Sequence, residues 1–144
     1  MSSDIQSTFI EAAAIDADGI SVAASVGNNA NLVLGGALTS GGAVTFDEPR
    51  NITILSAGDD SGISFTVTGT DEQGDAVTES ITGANAGTAT GSTFFTTISQ
   101  IAAVGNPAGN VSAGSGASIA SPIFRGRLRL RGLYAVNTGT AGTI

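Results

Sequence analysis

The feature that most constrains the fold is a two-residue alternation on both sides of a polar turn at residues 63–83. In ISFTVTGT, Phe65 and Val67 alternate with threonines, and in AVTESITG, Val77 and Ile81 alternate with polar residues. When apolar residues recur every second residue, their side chains lie on one face of a strand. The intervening DEQGD has the Asp and Gly residues that tight turns favour. The segment is therefore predicted to be a β-hairpin.

Similar short runs recur along the chain, separated by turns rich in Gly, Asn or Asp. Glycine accounts for 21 of the 144 residues, hydrophobic residues for 41% and charged residues for 12%. Turn signals at intervals of roughly ten residues are typical of sandwiches and barrels. The sequence thus predicts an all-β protein, a β-sandwich or small β-barrel of about seven to nine strands.

The patterning divides the chain into three parts. Residues 1–30 are irregular and are predicted to form an N-terminal arm, with a frayed terminus as the alternative. Residues 31–114 are predicted to form the β domain, and residues 115–144 a C-terminal strand segment that packs on the domain or on a neighbour. Within the domain, one strand is expected to end before Pro49. The mixed pattern near 97–100 predicts a bend or bulge.

The residue types exclude most catalytic chemistry. The chain has no His and no Cys, and all five basic residues are arginines. Imidazole bases, thiolates and Ser–Lys pairs are therefore absent. The acids are expected at turns, at 47–48, 59–60 and 71–75. Of these, DEQGDAVTE has a faint similarity to a calcium loop, although D-x-x-G is also common in hairpins. We expect no enzymatic activity and no cofactor.

Four of the five arginines occur in FRGRLRLRG, close to the C-terminus. On a strand, alternate side chains share a face, so the arginines would lie on one face and the apolar residues on the other. Glycines on the apolar side would let another backbone approach closely. The predicted partner-binding residues are Arg125, Arg127, Arg129 and Arg131 on the basic face, with Phe124, Leu128 and Leu130 behind them.

The charge of the chain is unevenly distributed. Residues 1–124 carry a net charge of −11, whereas residues 125–144 carry +4. An acidic protein is a poor general binder of nucleic acid, so we expect the basic run to contact acidic protein surfaces. A solvated edge strand that resists aggregation and a nucleic-acid contact are the alternatives. No apolar run is long enough to cross a membrane, and no secretory signal is apparent.

The run from residue 49 to residue 114 resembles a segment found in small structural proteins of tailed-phage heads. The shared strings are P-R-x-[IV]-T-[IV], SAGDDSG, F-T-[IV]-T-G-T-D, T-E-x-[IV]-T-G-x-N-A-G and a late G-N-V-S. The lead-in NLVLGGALTSGGAVTFDEPRNITI is similar to the same family. The arginine run and the first 30 residues lie outside the matching segment.

The resemblance implies a virion structural protein of the capsid decoration (cement) type. Such a protein would be made in the host cytoplasm and would bind the outer surface of the major capsid protein shell. It would act as a homotrimer or homodimer and would have no catalytic residues. A head-fibre, tail or receptor- or glycan-binding virion module is the alternative, with the turns at 58–62 and 71–75 as recognition tips.

Overall fold

A computed structural model describes residues 14–120. This part of the chain is all-β, as predicted, with no helix and hence none that could span a membrane. Its eight strands are β1 Asp16–Ser25, β2 Thr39–Ser40, β3 Ala43–Ser56, β4 Ser64–Thr70, β5 Ala76–Thr82, β6 Thr88–Thr90, β7 Phe95–Val104 and β8 Asn110–Ile119. They belong to one antiparallel sheet of order β1-β8-β3-β7-β4-β5, with β2 and β6 paired to β3.

Strand β3 organises the sheet because it pairs with four other strands. Val44 pairs with β2 on one side and β7 on the other. Arg50 pairs with β7 and β8, and Thr53 with β6 and β8. Since a strand has two hydrogen-bonding edges, β2 and β8 must lie along one edge of β3 and β7 and β6 along the other.

Side chains from both halves of the sheet form a single apolar core. The even-numbered apolar residues of β3 point inward, as the alternation in RNITILS predicts. Burial of each such side chain contributes roughly 1.5–3 kcal/mol. The largest fully buried apolar side chains are Phe65, Phe95, Ile20, Ile52, Ile54, Ile98 and Ile101.

The predicted β-hairpin is confirmed. Strands β4 and β5 pair without interruption from Ser64↔Thr82 to Thr70↔Ala76. In the turn, Asp71 Oδ1 accepts hydrogen bonds from the backbone amides of Gln73 and Asp75, each at 2.9 Å. The polar turn therefore fixes the register of the hairpin with its own carboxylate.

The predicted irregularity near residues 97–100 is also confirmed. Strand β4 pairs Thr68 with Gln100 and Gly69 with Ile98, so Ser99 is an extra residue on β7. This one-residue bulge explains why the apolar pattern of TFFTTISQIAAV changes phase.

The prediction that a strand ends before Pro49 is wrong, and Asp47 and Glu48 lie within β3 rather than at a turn. Between Thr45 and Arg50, β3 advances five residues while β7 advances only two. Proline is tolerated at such a bulge because no ladder amide is required of it. Its carbonyl still accepts a hydrogen bond, from the amide of Ala120 at 3.0 Å.

The sheet extends beyond both boundaries that the sequence suggested for the β domain. Strand β1 lies within the range predicted as an arm and pairs with β8, which itself continues to Ile119. The pairing of β1 with β8 shifts twice along its length, so its side chains do not follow a simple alternation. Residues 1–13 and 121–144 lie outside the described residues.

Candidate functional site

The clearest concave feature in the described part of the chain is a cleft of about 210 Å³ beside β3. It is formed where β3, β8 and the segments before β1 and β2 meet. Both ends of the described chain are close to it. The cleft is lined by Ala14, Leu38, Thr45, Phe46, Asp47, Glu48, Arg50 and Ser115.

Among residues 14–120, the strand pairing along one edge of β3 is interrupted beside the cleft. On this edge, the pairing with β2 ends at Val44, and the pairing with β8 begins at Arg50. The hydrogen bond from Ala120 to Pro49 extends the contact with β8 by one residue. Within residues 14–120, no strand pairs with the edge of β3 from Thr45 to Glu48, and this is where the cleft opens.

The rim of the cleft is mainly acidic. Asp47 is exposed and Glu48 is half-buried. Asp16 is adjacent to two residues that line the cleft. Its backbone pairs with Ser115, and its carboxylate lies near the Leu38 side chain, since both come within 3 Å of the position of a Cβ on Gly19. Among residues 14–120, Arg50 is the only cation, and it is 6% exposed. The carboxylates therefore outnumber the cation here and favour a basic partner.

Ser115 lines the cleft and carries a buried hydroxyl. The residue is 1% exposed, and no hydrogen-bond partner for its Oγ is found in the described structure. The chain contains no imidazole, thiol or lysine amine that could activate this hydroxyl.

The cleft was not predicted from the sequence. All seven predicted partner-binding residues, Phe124, Arg125, Arg127, Leu128, Arg129, Leu130 and Arg131, lie outside the described residues. The signal for the cleft was the string DEPR, in which two acids, a proline and the domain's lone arginine adjoin. The acids of that string were expected at a turn, but they lie within β3.

The acidic turns are built by their own carboxylates. Asp71 Oδ1 accepts from its own turn, and Asp59 Oδ1 accepts from the Ser61 amide at 3.1 Å and hydroxyl at 2.7 Å. The Ser61 hydroxyl and then its amide lower the pKa of Asp59, against slight desolvation. In residues 14–120, no three acidic side chains converge to form a metal site. The calcium alternative for the loop at 71–79 therefore has no support in this geometry.

Comparison with protein-family models, curated proteins and solved structures gave no significant match for this chain.

Proposed function

We propose that the protein is a non-enzymatic decoration protein of a tailed-phage capsid. It would bind the outer surface of the major capsid protein shell as a homotrimer or homodimer and stabilise the shell. The observation that carries the proposal is the separation of charge at Ala120. Residues 14–120 contain ten acids and one arginine, whereas residues 121–144 contain four arginines and no acid.

The fold supports a role in which a small domain is held at a defined position. One apolar core joins the strands of the sheet, and Asx turns fix the loops at 59–61 and 71–75. Such a domain loses little conformational entropy on docking. The resemblance of residues 49–114 to phage head proteins supports the capsid as the surface on which it would dock.

The charge distribution would orient the domain relative to the shell surface. An acidic domain is repelled by acidic surfaces, while the basic segment that follows Ala120 is attracted to them. Each contact can be weak, because a symmetric oligomer engages several sites at once and gains effective concentration. A repeated shell surface with exposed carboxylates is a suitable partner for this arrangement.

The test is co-sedimentation of the purified full-length protein with shells that lack it. We expect the wild-type protein to bind and the double variant Arg127→Glu, Arg129→Glu to lose binding while keeping its melting temperature. The matched control is Arg127→Lys, Arg129→Lys, which preserves the charge and should retain most of the binding. A shell that the wild-type protein does not bind would contradict the proposed function.

Two other outcomes separate the parts of the proposal. Full occupancy by the charge-reversed variant would show that the arginines are not the docking contacts. Binding of labelled protein to host cells, with none to shells, would instead favour a fibre or receptor-binding module.

A further inference from the structure

We propose that the outward face of strands β7, β4 and β5 binds the same face of a second copy of this chain, in a weak two-fold dimer. The inference rests on the homo-oligomeric part of the proposed function and gives it a surface, but its test needs no capsid shell. We call this surface the uncharged face. It consists of Ser64, Thr66, Thr68 and Thr70 of β4, Ala76, Thr78, Ser80 and Thr82 of β5, and Gln100, Ala102 and Val104 of β7.

The pairing of the three strands brings these side chains together. Thr66, on the central strand β4, pairs with Ser80 of β5 on one side and with Ala102 of β7 on the other. Directly opposed residues of an antiparallel pair point to the same face. Phe65 and Val67, which flank Thr66 in the chain, are fully buried, so the face that carries Thr66 points outward.

The uncharged face has no ionisable side chain, although residues 14–120 contain ten acids and one arginine. Glu79 is the only acid within β4, β5 and β7. It pairs with the buried Val67, so it points to the opposite side of the sheet, where its carboxylate accepts from the Ser92 amide. The acids of the described residues therefore lie away from this face.

The absence of charge indicates which partner the face fits. A basic partner would be attracted by carboxylates at the contact, and this face offers it none. A second copy carries the same excess of acids, and like charges that meet across an interface oppose association. On the uncharged face, two such domains can meet without opposed carboxylates.

The hydroxyl groups make the face self-complementary. A Ser or Thr hydroxyl can both donate and accept a hydrogen bond, so a two-fold related copy can serve it in either role. Polar side chains of the face are already held in place: the Thr70 and Thr97 hydroxyls are 2.7 Å apart, and Gln100 Nε2 donates to Asn31 Oδ1 at 2.8 Å. This order lowers the entropy cost of docking. The 54% exposed Val104 adds apolar contact.

The acidic turn at residues 71–75 sets the orientation of the two copies. The turn lies at one end of the seven-residue strands β4 and β5. A two-fold axis perpendicular to the strands and parallel to the sheet places the two turns at opposite ends of the contact, roughly 20 Å apart. This separation is about twice the Debye length at 0.1 M ionic strength, so the repulsion between the turns is largely screened.

The size of the face determines the strength of the contact. Three strands about 4.8 Å apart and roughly 20 Å long cover on the order of 300 Å² per copy in projection, below the roughly 800 Å² per partner of a standard interface. We therefore expect a dissociation constant between about 10 μM and 1 mM. Such a contact becomes effective where many copies are held on one surface.

Sedimentation equilibrium of the purified full-length protein, at concentrations up to about 1 mM, tests the proposal. We expect a monomer–dimer equilibrium in the wild-type protein. Thr66→Glu and Thr78→Glu should each raise the dissociation constant about tenfold or more, because each places carboxylates in the contact between two acidic copies. The control Thr88→Glu adds the same charge at an exposed position of β6 and should change it by less than about twofold. Unchanged melting temperatures will show that the variants fold.

Salt distinguishes this contact from one made by the arginines. Because salt screens the repulsion between two acidic copies, the dimer should tighten as NaCl is raised from about 0.05 M to 0.5 M. A dimer that weakens with salt and is lost in Arg127→Glu, Arg129→Glu would instead be held by the arginine run and would overturn the proposal.

Three further outcomes would also overturn it. They are a monomer at every concentration, a trimer, which a two-fold contact cannot form, and a dimer that responds equally to Thr66→Glu and Thr88→Glu. Since the assay contains no shell, each of these results leaves co-sedimentation with shells as a separate test of the proposed function.

Discussion

The side chain of Asn51 closes a bulge in β8 by accepting a hydrogen bond from the backbone amide of Ser118 at 3.1 Å. Between their pairs at Ile52 and Arg50, β3 advances two residues while β8 advances four. The side-chain Nδ2 of Asn51 also donates to the carbonyl of Gly91 at 3.2 Å. One buried amide thus connects both edges of β3 and supports the last residues of β8.

Asn51→Ala should destabilise the fold. The change removes both hydrogen bonds and leaves the Ser118 amide and the Gly91 carbonyl without this partner, each costing about 1–3 kcal/mol where water cannot enter. We expect the free energy of unfolding, measured by urea denaturation, to fall by about 2–4 kcal/mol. The matched control is Asn28→Ala at an exposed position, which should change stability by less than about 0.5 kcal/mol. Equal effects of the two changes would contradict the role of Asn51.

Two glycines of one turn should respond differently to alanine. A Cβ on Gly58 would lie against the backbone carbonyl of Ala108, whose amide is held by Asp60 Oδ1 at 2.6 Å. Gly58→Ala should therefore cost about 1–3 kcal/mol of stability. A Cβ on Gly62 would meet nothing within 4 Å, so Gly62→Ala should be neutral or stabilise by about 0.4–1 kcal/mol. Thermal unfolding of the two variants checks the contrast, and a similar melting temperature for both would refute it.

Structure that depends on residues close together in the chain was predictable from the sequence. The β4–β5 hairpin follows from local alternation around DEQGD. The bulge at Ser99 follows from a change of phase within a single strand. In both cases the residues that carry the signal also make the contacts, so pattern and structure coincide.

Structure that depends on partners distant in the chain was not predictable from the sequence. Strand β3 passes through Pro49 because β7 tolerates a bulge there and β8 needs only the proline carbonyl. Strand β1 belongs to the sheet because β8 pairs with it across about ninety residues of chain. The cleft combines four separate parts of the sequence, and no local pattern indicates that they meet.

Asp59 should titrate below the ordinary range of an aspartate. The hydroxyl and amide of Ser61 both donate to its carboxylate and lower its pKa from the usual 3.8. This interaction stabilises the fold above the unfolded-state pKa, and its contribution is lost as the pH falls through the lower folded-state value. Carboxyl NMR titration should show the pKa rising towards 3.8 in Ser61→Ala. An unchanged pKa in that variant would contradict the assignment of the hydroxyl as the main cause.

Glu79 should hold the loop before β7 against the edge strand β5. Its Oε1 accepts hydrogen bonds from the Ser92 amide at 2.6 Å, the Ser92 hydroxyl at 2.9 Å and the Thr93 amide at 3.2 Å. Bonds to an ionised acceptor are roughly twice as strong as neutral ones. Glu79→Ala should therefore accelerate amide exchange at Ser92 and Thr93 about tenfold, and Glu79→Gln, which keeps an acceptor, should accelerate it by less.

Ser80→Ala, on the exposed face of β5, serves as the control and should leave the exchange of both amides unchanged. Because the effect is local, exchange in β4 should be the same in all the variants; acceleration throughout the sheet would instead show that Glu79 stabilises the whole fold.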